Sequence, residues 1–137
     1  MDRPSVRRWP VAIVASAVVA WAGMFVHNIA DVPGQTLASP ETGLPSLLTL
    51  VLTLLWFVRP IRRGATWALL VWAWISLVGG AMSVLPLEIL PFRPVQTLEH
   101  YGFHAVYAAT QVPLIVVTTL WLRDERRARS GAAEEAV

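Results

Sequence analysis

Four long apolar stretches, separated by short polar or proline-bearing breaks, set the pattern of this chain. From Pro10 the apolar residues run almost unbroken to about residue 30; further runs cover 40–58, 65–85 and 97–122. Each approaches the length of about 20 residues that a helix needs to cross a hydrocarbon core. The second run reaches that length because Ser39-Pro40-Glu41 is a strong helix start. It offers a capping hydroxyl, a proline at the first position and a carboxylate in the first turn. Pro45 falls in the opening turns of that run, where it does not break the helix, whereas Pro113 lies well inside the fourth run and predicts a bend. The pattern predicts an all-α fold: an integral membrane four-helix bundle.

Small and polar residues recur within these runs at helical spacing. Ser16, Ala20, Gly23 and His27 share one face of the first helix, and Ser76, Gly80 and Ser83 one face of the third. Small residues at this spacing let a neighbouring helix approach closely. The fourth run carries His100, His104, Tyr107 and Gln111 on one narrow face. Two imidazoles, a phenol and an amide in line are costly in lipid unless they face protein, water or a ligand, so this face is predicted to point inward.

Charge then orients the bundle. The chain has 137 residues and no lysine, so all 11 of its basic residues are arginines. Arg3, Arg7 and Arg8 lie in the tail 1–9, Arg59, Arg62 and Arg63 in a tight middle turn, and four more in the tail 123–137. The first and third connections hold Asp31, Glu41, Glu88 and Glu99, with Arg93 as their single arginine. By the positive-inside rule both termini are cytoplasmic and the odd connections lie outside. A cleaved signal peptide ending near Ala20-Trp21-Ala22 is the rival reading of the first run, but the apolar sequence continues past that point to a spanning length. The third connection, with Leu85-Pro86-Leu87-Glu88-Ile89-Leu90-Pro91-Phe92, is too apolar for a solvated loop and is expected at the membrane interface. The Ala-rich tail reads as a helical extension that frays.

A mean hydropathy of +0.55 fits a polytopic membrane protein better than a soluble domain. The absence of cysteine excludes disulfides and thiolate metal sites. Arginines clustered at helix ends, with a net charge of only +2, point to membrane orientation and away from nucleic acid. Glycine-rich phosphate loops and serine-nucleophile motifs are absent.

This topology gathers the polar residues at the outer end. His27, Asn28 and Asp31 close the first helix, Glu41 opens the second, and Glu99, His100 and His104 open the fourth. His27 with Asp31, and His100 with His104, have the i, i+4 spacing that lets two side chains on one helix reach one ion. His27, Asp31, Glu41, His100 and His104 are therefore candidate ligands for a divalent transition metal: zinc, iron, manganese or copper(II). Asn28, Glu99, Tyr107 and Gln111 line the same pocket. Haem b, held by one imidazole from the first helix and one from the fourth, is a second version, with Arg93 as the available outer propionate partner. The structural alternative is that these groups are hydrogen-bonded pairs that lock helix ends together, with the tryptophans as interface anchors.

The order His27-Asn28, Ser39-Pro40-Glu41-Thr42 with Pro45, Gly79-Gly80, Leu85-Pro86-Leu87 with Leu90-Pro91-Phe92, and the closing Gln96-x-Leu98-x-His100-Tyr101-x-x-His104-x-x-Tyr107-x-x-x-Gln111-x-Pro113 resembles a family of small four-span bacterial membrane proteins. The resemblance implies the fold and a bacterial cytoplasmic (inner) membrane, and carries no activity with it. Three functional expectations stand together. They are a polar, metal-binding pocket near the outer face, an accessory or scaffold subunit that binds a membrane-protein partner, and a transporter formed by a homo-oligomer.

Overall fold

The computed structural model describes residues 8–86, 88 and 94–134. Among these the fold is all-helical. Helix α1 spans Trp9–Asp31, α2 Pro40–Leu55, α3 Arg62–Ile75 and α4 Leu98–Glu134. A 3-10 turn, Arg59–Ile61, leads into α3. Beyond Ile75 the helical path continues as a π turn, Ser76–Gly80, and a 3-10 turn, Ala81–Val84. Three of these paths, Trp9–Asp31, Arg59–Val84 and Leu98–Ala132, are long and apolar enough to cross a membrane. Helix α2 is shorter, with 16 residues, or about 24 Å at 1.5 Å per residue. The arginine-rich tail is not a separate element, since α4 carries it through to Glu134.

Neighbouring helices run antiparallel in a closed ring. Gln111 of α4 donates from Nε2 to the Ala20 carbonyl of α1 at 2.9 Å. Trp21 Nε1 of α1 donates to Ser46 Oγ of α2 at 3.0 Å, and Trp72 Nε1 of α3 donates to Thr49 Oγ1 of α2 at 2.9 Å. Two of the tryptophans thus join helices through their indole N–H groups.

The core is a stack of layers along the bundle. Ile13, Trp56, Ala65 and Leu69 fill the arginine end; Ala17, Ala20, Ala73 and Leu114 fill the middle; Met24, Ala81 and Tyr107 close the other end. Small residues bring the backbones together where layers are thin. A Cβ on Gly23 would fall 1.8 Å from Thr110 Oγ1, and one on Gly80 would fall 2.7 Å from the Tyr107 hydroxyl, so α1 and α3 approach α4 at these points only because both positions lack a side chain.

Two local expectations change in the structure. Ser39 precedes α2, but its Oγ accepts from the Thr36 N–H at 3.0 Å and caps no α2 amide. The preceding turn engages the hydroxyl first. On the third path the fully buried positions past Ile75 are Ser76, Ala81 and Val84; of the expected small-residue face, Ser76 is buried, Gly80 meets Tyr107 and Ser83 is only partly buried. The π turn inserts one residue into the period, so every later side chain is rotated by about 100° from where a regular helix would hold it.

The outer surface is apolar. On α2, Leu44, Leu47, Leu50 and Leu54 are exposed, while Thr42 and Thr49 are buried. This polarity is the reverse of a helix on a water-soluble protein. The buried hydroxyls are satisfied locally; Thr49 Oγ1, for example, donates to the Pro45 carbonyl at 2.9 Å.

Candidate metal centre

The end of α1 and the start of α4 meet over three histidines. His27, Asp31 and His104 each offer a ligand atom, and these atoms lie within 4.8 Å of one another. His27 Nε2 stands 3.0 Å from His104 Nε2 and 3.5 Å from Asp31 Oδ2. His104 is only 5% exposed, and the side chains of His27 and Asp31 are 11% and 9% exposed.

The far nitrogen of each imidazole is fixed by backbone chemistry. On the α1 side the argument begins at Pro45. Lacking an N–H, Pro45 cannot bond the carbonyl four residues back, so the Glu41 carbonyl is left open. Asn28 Nδ2 donates to that carbonyl at 3.0 Å and to Thr42 Oγ1 at 3.3 Å. Thr42 Oγ1 in turn donates to Gln35 Oε1 at 3.1 Å. With its amide nitrogen engaged this way, Asn28 presents Oδ1 to His27 Nδ1 at 2.9 Å, and His27 Nδ1 must be the donor. On the α3 side the α-helical ladder ends in the π and 3-10 turns, and the Ala81 carbonyl turns toward α4. His104 Nδ1 donates to it at 2.8 Å.

With Nδ1 donating on both rings, a neutral imidazole at each position has a lone pair on Nε2, and the two Nε2 atoms face each other at 3.0 Å. Two bare nitrogens at that distance repel. A shared proton or a metal cation relieves the repulsion. An N–H donated to a carbonyl or amide oxygen, with the other nitrogen aimed at a common point, is the usual way a metal-binding histidine is held. Two of the three separations, 3.0 and 3.5 Å, bracket the edge of about 3.3 Å expected for a tetrahedral site with bonds of 2.0–2.1 Å, and the third lies within 4.8 Å.

His100 joins the cluster through Asp31: its Nδ1 donates to Oδ2 of that carboxylate, and its ring lies 4.6 Å from the His104 ring centroid to centroid. It orients the carboxylate, and lies outside the three-residue group. Glu41 stands apart. Its exposed carboxylate accepts from Gln35 Nε2 at 3.4 Å, so its contribution to the cluster is its backbone carbonyl. Glu99 is exposed at the first turn of α4. Tyr107 packs beneath the cluster, with its ring centroid 5.6 Å from that of His27 and its hydroxyl against Gly80. Gln111, 2% exposed, ties α4 to α1 a turn deeper and does not reach the histidines. Arg93 and most of the apolar third connection lie outside the described residues.

Two supporting groups were missed in the sequence. Thr42 is fully buried and holds Asn28; its position three residues before a helical proline was the available signal. The Ala81 carbonyl had no side-chain signal at all.

Comparisons with family models, with curated proteins and with solved structures find no match for this chain.

Proposed function

We propose that this chain is a four-span protein of a bacterial inner membrane that binds one divalent transition metal between α1 and α4, at the end of the bundle opposite Arg59, Arg62 and Arg63. The facing Nε2 atoms of His27 and His104, each with Nδ1 already donating, carry this reading. Asp31 supplies a third ligand and a negative charge, and His100 orients it. Two imidazoles and one carboxylate suit zinc, iron(II) or manganese, and match the three-ligand sets that keep a coordination position for water or another small ligand. The function is thus a metal-binding site with an open position, poised for activating a bound water or a small anion. Haem fits less well, because axial imidazoles on opposite sides of an iron need Nε2 atoms about 4 Å apart, twice an ordinary metal–imidazole bond.

The membrane reading is supported by three long apolar helices, by the inverted polarity of α2 and by the arginine distribution. Helix α2 reaches a spanning length when Trp56, Phe57 and Val58 are counted with it. The likeness to small four-span bacterial membrane proteins agrees with this and adds no chemistry.

The alternative resolution of the facing lone pairs is a shared proton, which makes the cluster a structural clasp. Thermal unfolding in mild detergent separates the two. With zinc at about 100 times its Kd, a bound site stabilises the fold by about 2.7 kcal/mol. That gain is expected in the wild type and absent in His104→Gln and Asp31→Asn. Equal midpoints with zinc, manganese or a chelator would leave only the clasp.

A further inference from the structure

A second site lies at the opposite end of the bundle. Between α3 and α4 there is an open groove of about 130 Å³ lined by Trp67, Leu70, Thr119, Leu122, Arg123 and Arg126. The α4 residues follow i, i+3, i+4, i+7 spacing, so they form one face of that helix. Along this face the lining changes from apolar and hydroxyl-bearing at Leu70, Thr119 and Leu122 to doubly cationic at Arg123 and Arg126. Trp67 is 41% exposed at its side.

Of the two acids beside Arg123 and Arg126, Asp124 is exposed and forms no ion pair among the described residues, and Glu125 is engaged elsewhere. Glu125 Oε1 accepts from Arg129 Nε on its own helix at 2.7 Å, and Oε2 lies 3.8 Å from Arg63 Nε of α3, an ion pair without a hydrogen bond. Among the described residues Arg123 and Arg126 form no ion pair. Two guanidiniums without an ion-pair partner among the described residues thus stand where the apolar face of α4 ends, beside an exposed indole of the kind that settles at headgroup level. The His100-to-Arg123 stretch of α4 measures about 35 Å, so the groove sits one bilayer thickness from the histidines.

We infer that this groove is a binding site for an anionic phospholipid, its phosphate held by Arg123 and Arg126 and its upper acyl chain lying over Trp67 and Leu70. Guanidinium forks match phosphate oxygens, and a basic pocket between helices at a membrane surface is suited to an acidic headgroup. The inference rests on the membrane reading and is independent of the metal.

Native mass spectrometry of the full chain released from detergent tests it, with phosphatidylglycerol and phosphatidylcholine of identical chains as probes. Wild type should retain phosphatidylglycerol with about tenfold preference or more. Arg123→Gln/Arg126→Gln should lose most of that preference. Arg59→Gln/Arg127→Gln, which removes equal charge outside the groove and leaves the Arg129–Glu125 pair intact, should keep it. All these side chains are exposed, so matching thermal midpoints will show that each variant is folded. No preference in the wild type, an equal loss in both double variants, or displacement of the lipid by millimolar inorganic phosphate would overturn the site. A chain that stays in the aqueous fraction without detergent and takes up neither lipid would instead refute the membrane reading beneath it.

Discussion

His27 and His104 are defined less by their own positions than by what holds their far nitrogens. Asn28 is the residue that tests this on the α1 side. In Asn28→Leu, His27 loses its Nδ1 acceptor and the Glu41 carbonyl loses its donor, while all three proposed ligands remain. Metal affinity measured by competition with a chelator should fall about 10- to 100-fold, as it does when outer partners of a metal ligand are removed. Unchanged affinity would mean that the His27 tautomer is immaterial. Gly23 tests the packing that brings α1 to that position. With Thr110 Oγ1 only 1.8 Å from the added methyl, Gly23→Ala must push α1 and α4 apart. A loss of about 2 kcal/mol or more is expected in detergent unfolding, in the range of overpacked cores. The inward face of His100, His104, Tyr107 and Gln111 was legible because α4 keeps one period throughout. Glu41 was a misleading ligand candidate for the opposite reason. Its place at the outer end of the chain's second run says nothing about which side of α2 its carboxylate occupies, and it is the exposed side.

At the scale of elements, two irregularities build the cluster. Pro45 opens a carbonyl on α2, and the π turn Ser76–Gly80 rotates Ala81 toward α4. The sequence showed the proline, and the open carbonyl four residues earlier follows from it. The π turn left no such trace. Gly79-Gly80 permits it, but a 3.6-residue reading runs straight through and does not put Ala81 and Val84 on the buried face. Pro45→Ala restores the N–H that competes with Asn28 for the Glu41 carbonyl. The variant should unfold at the same temperature as the wild type or slightly higher, since it mends a helical bond. Its metal affinity should nevertheless fall several-fold. A variant that gains stability and keeps its affinity would disconnect α2 from the site.

For the whole molecule, the histidine cluster and the arginine-bearing turn 59–63 lie at opposite ends. The histidines close α1 onto α4 at one end, and among the described residues Arg59, Arg62 and Arg63 lie at the other, with Arg62 stacked 4.7 Å over Trp56. The all-helical class was legible from the apolar runs alone, because nothing else buries or solvates stretches of that length. The spatial meeting of His27 with Asp31 and His104 needed the antiparallel ring, which fixes which helix ends coincide. If the arginine end faces the cytoplasm, a fluorescent protein fused after Val137 should be bright and a periplasmic phosphatase at the same point inactive. The reverse result would turn the metal site toward the cytoplasm.

The most direct measurement is elemental analysis of the full chain, purified in mild detergent without a polyhistidine tag, beside His104→Gln prepared identically. A cluster built around facing Nε2 lone pairs predicts close to one zinc, iron or manganese per wild-type chain, and only a trace in a His104→Gln variant that remains helical. Folded wild-type protein with no transition metal, even after dialysis against zinc, would contradict the account and leave the three histidines as a clasp between helices.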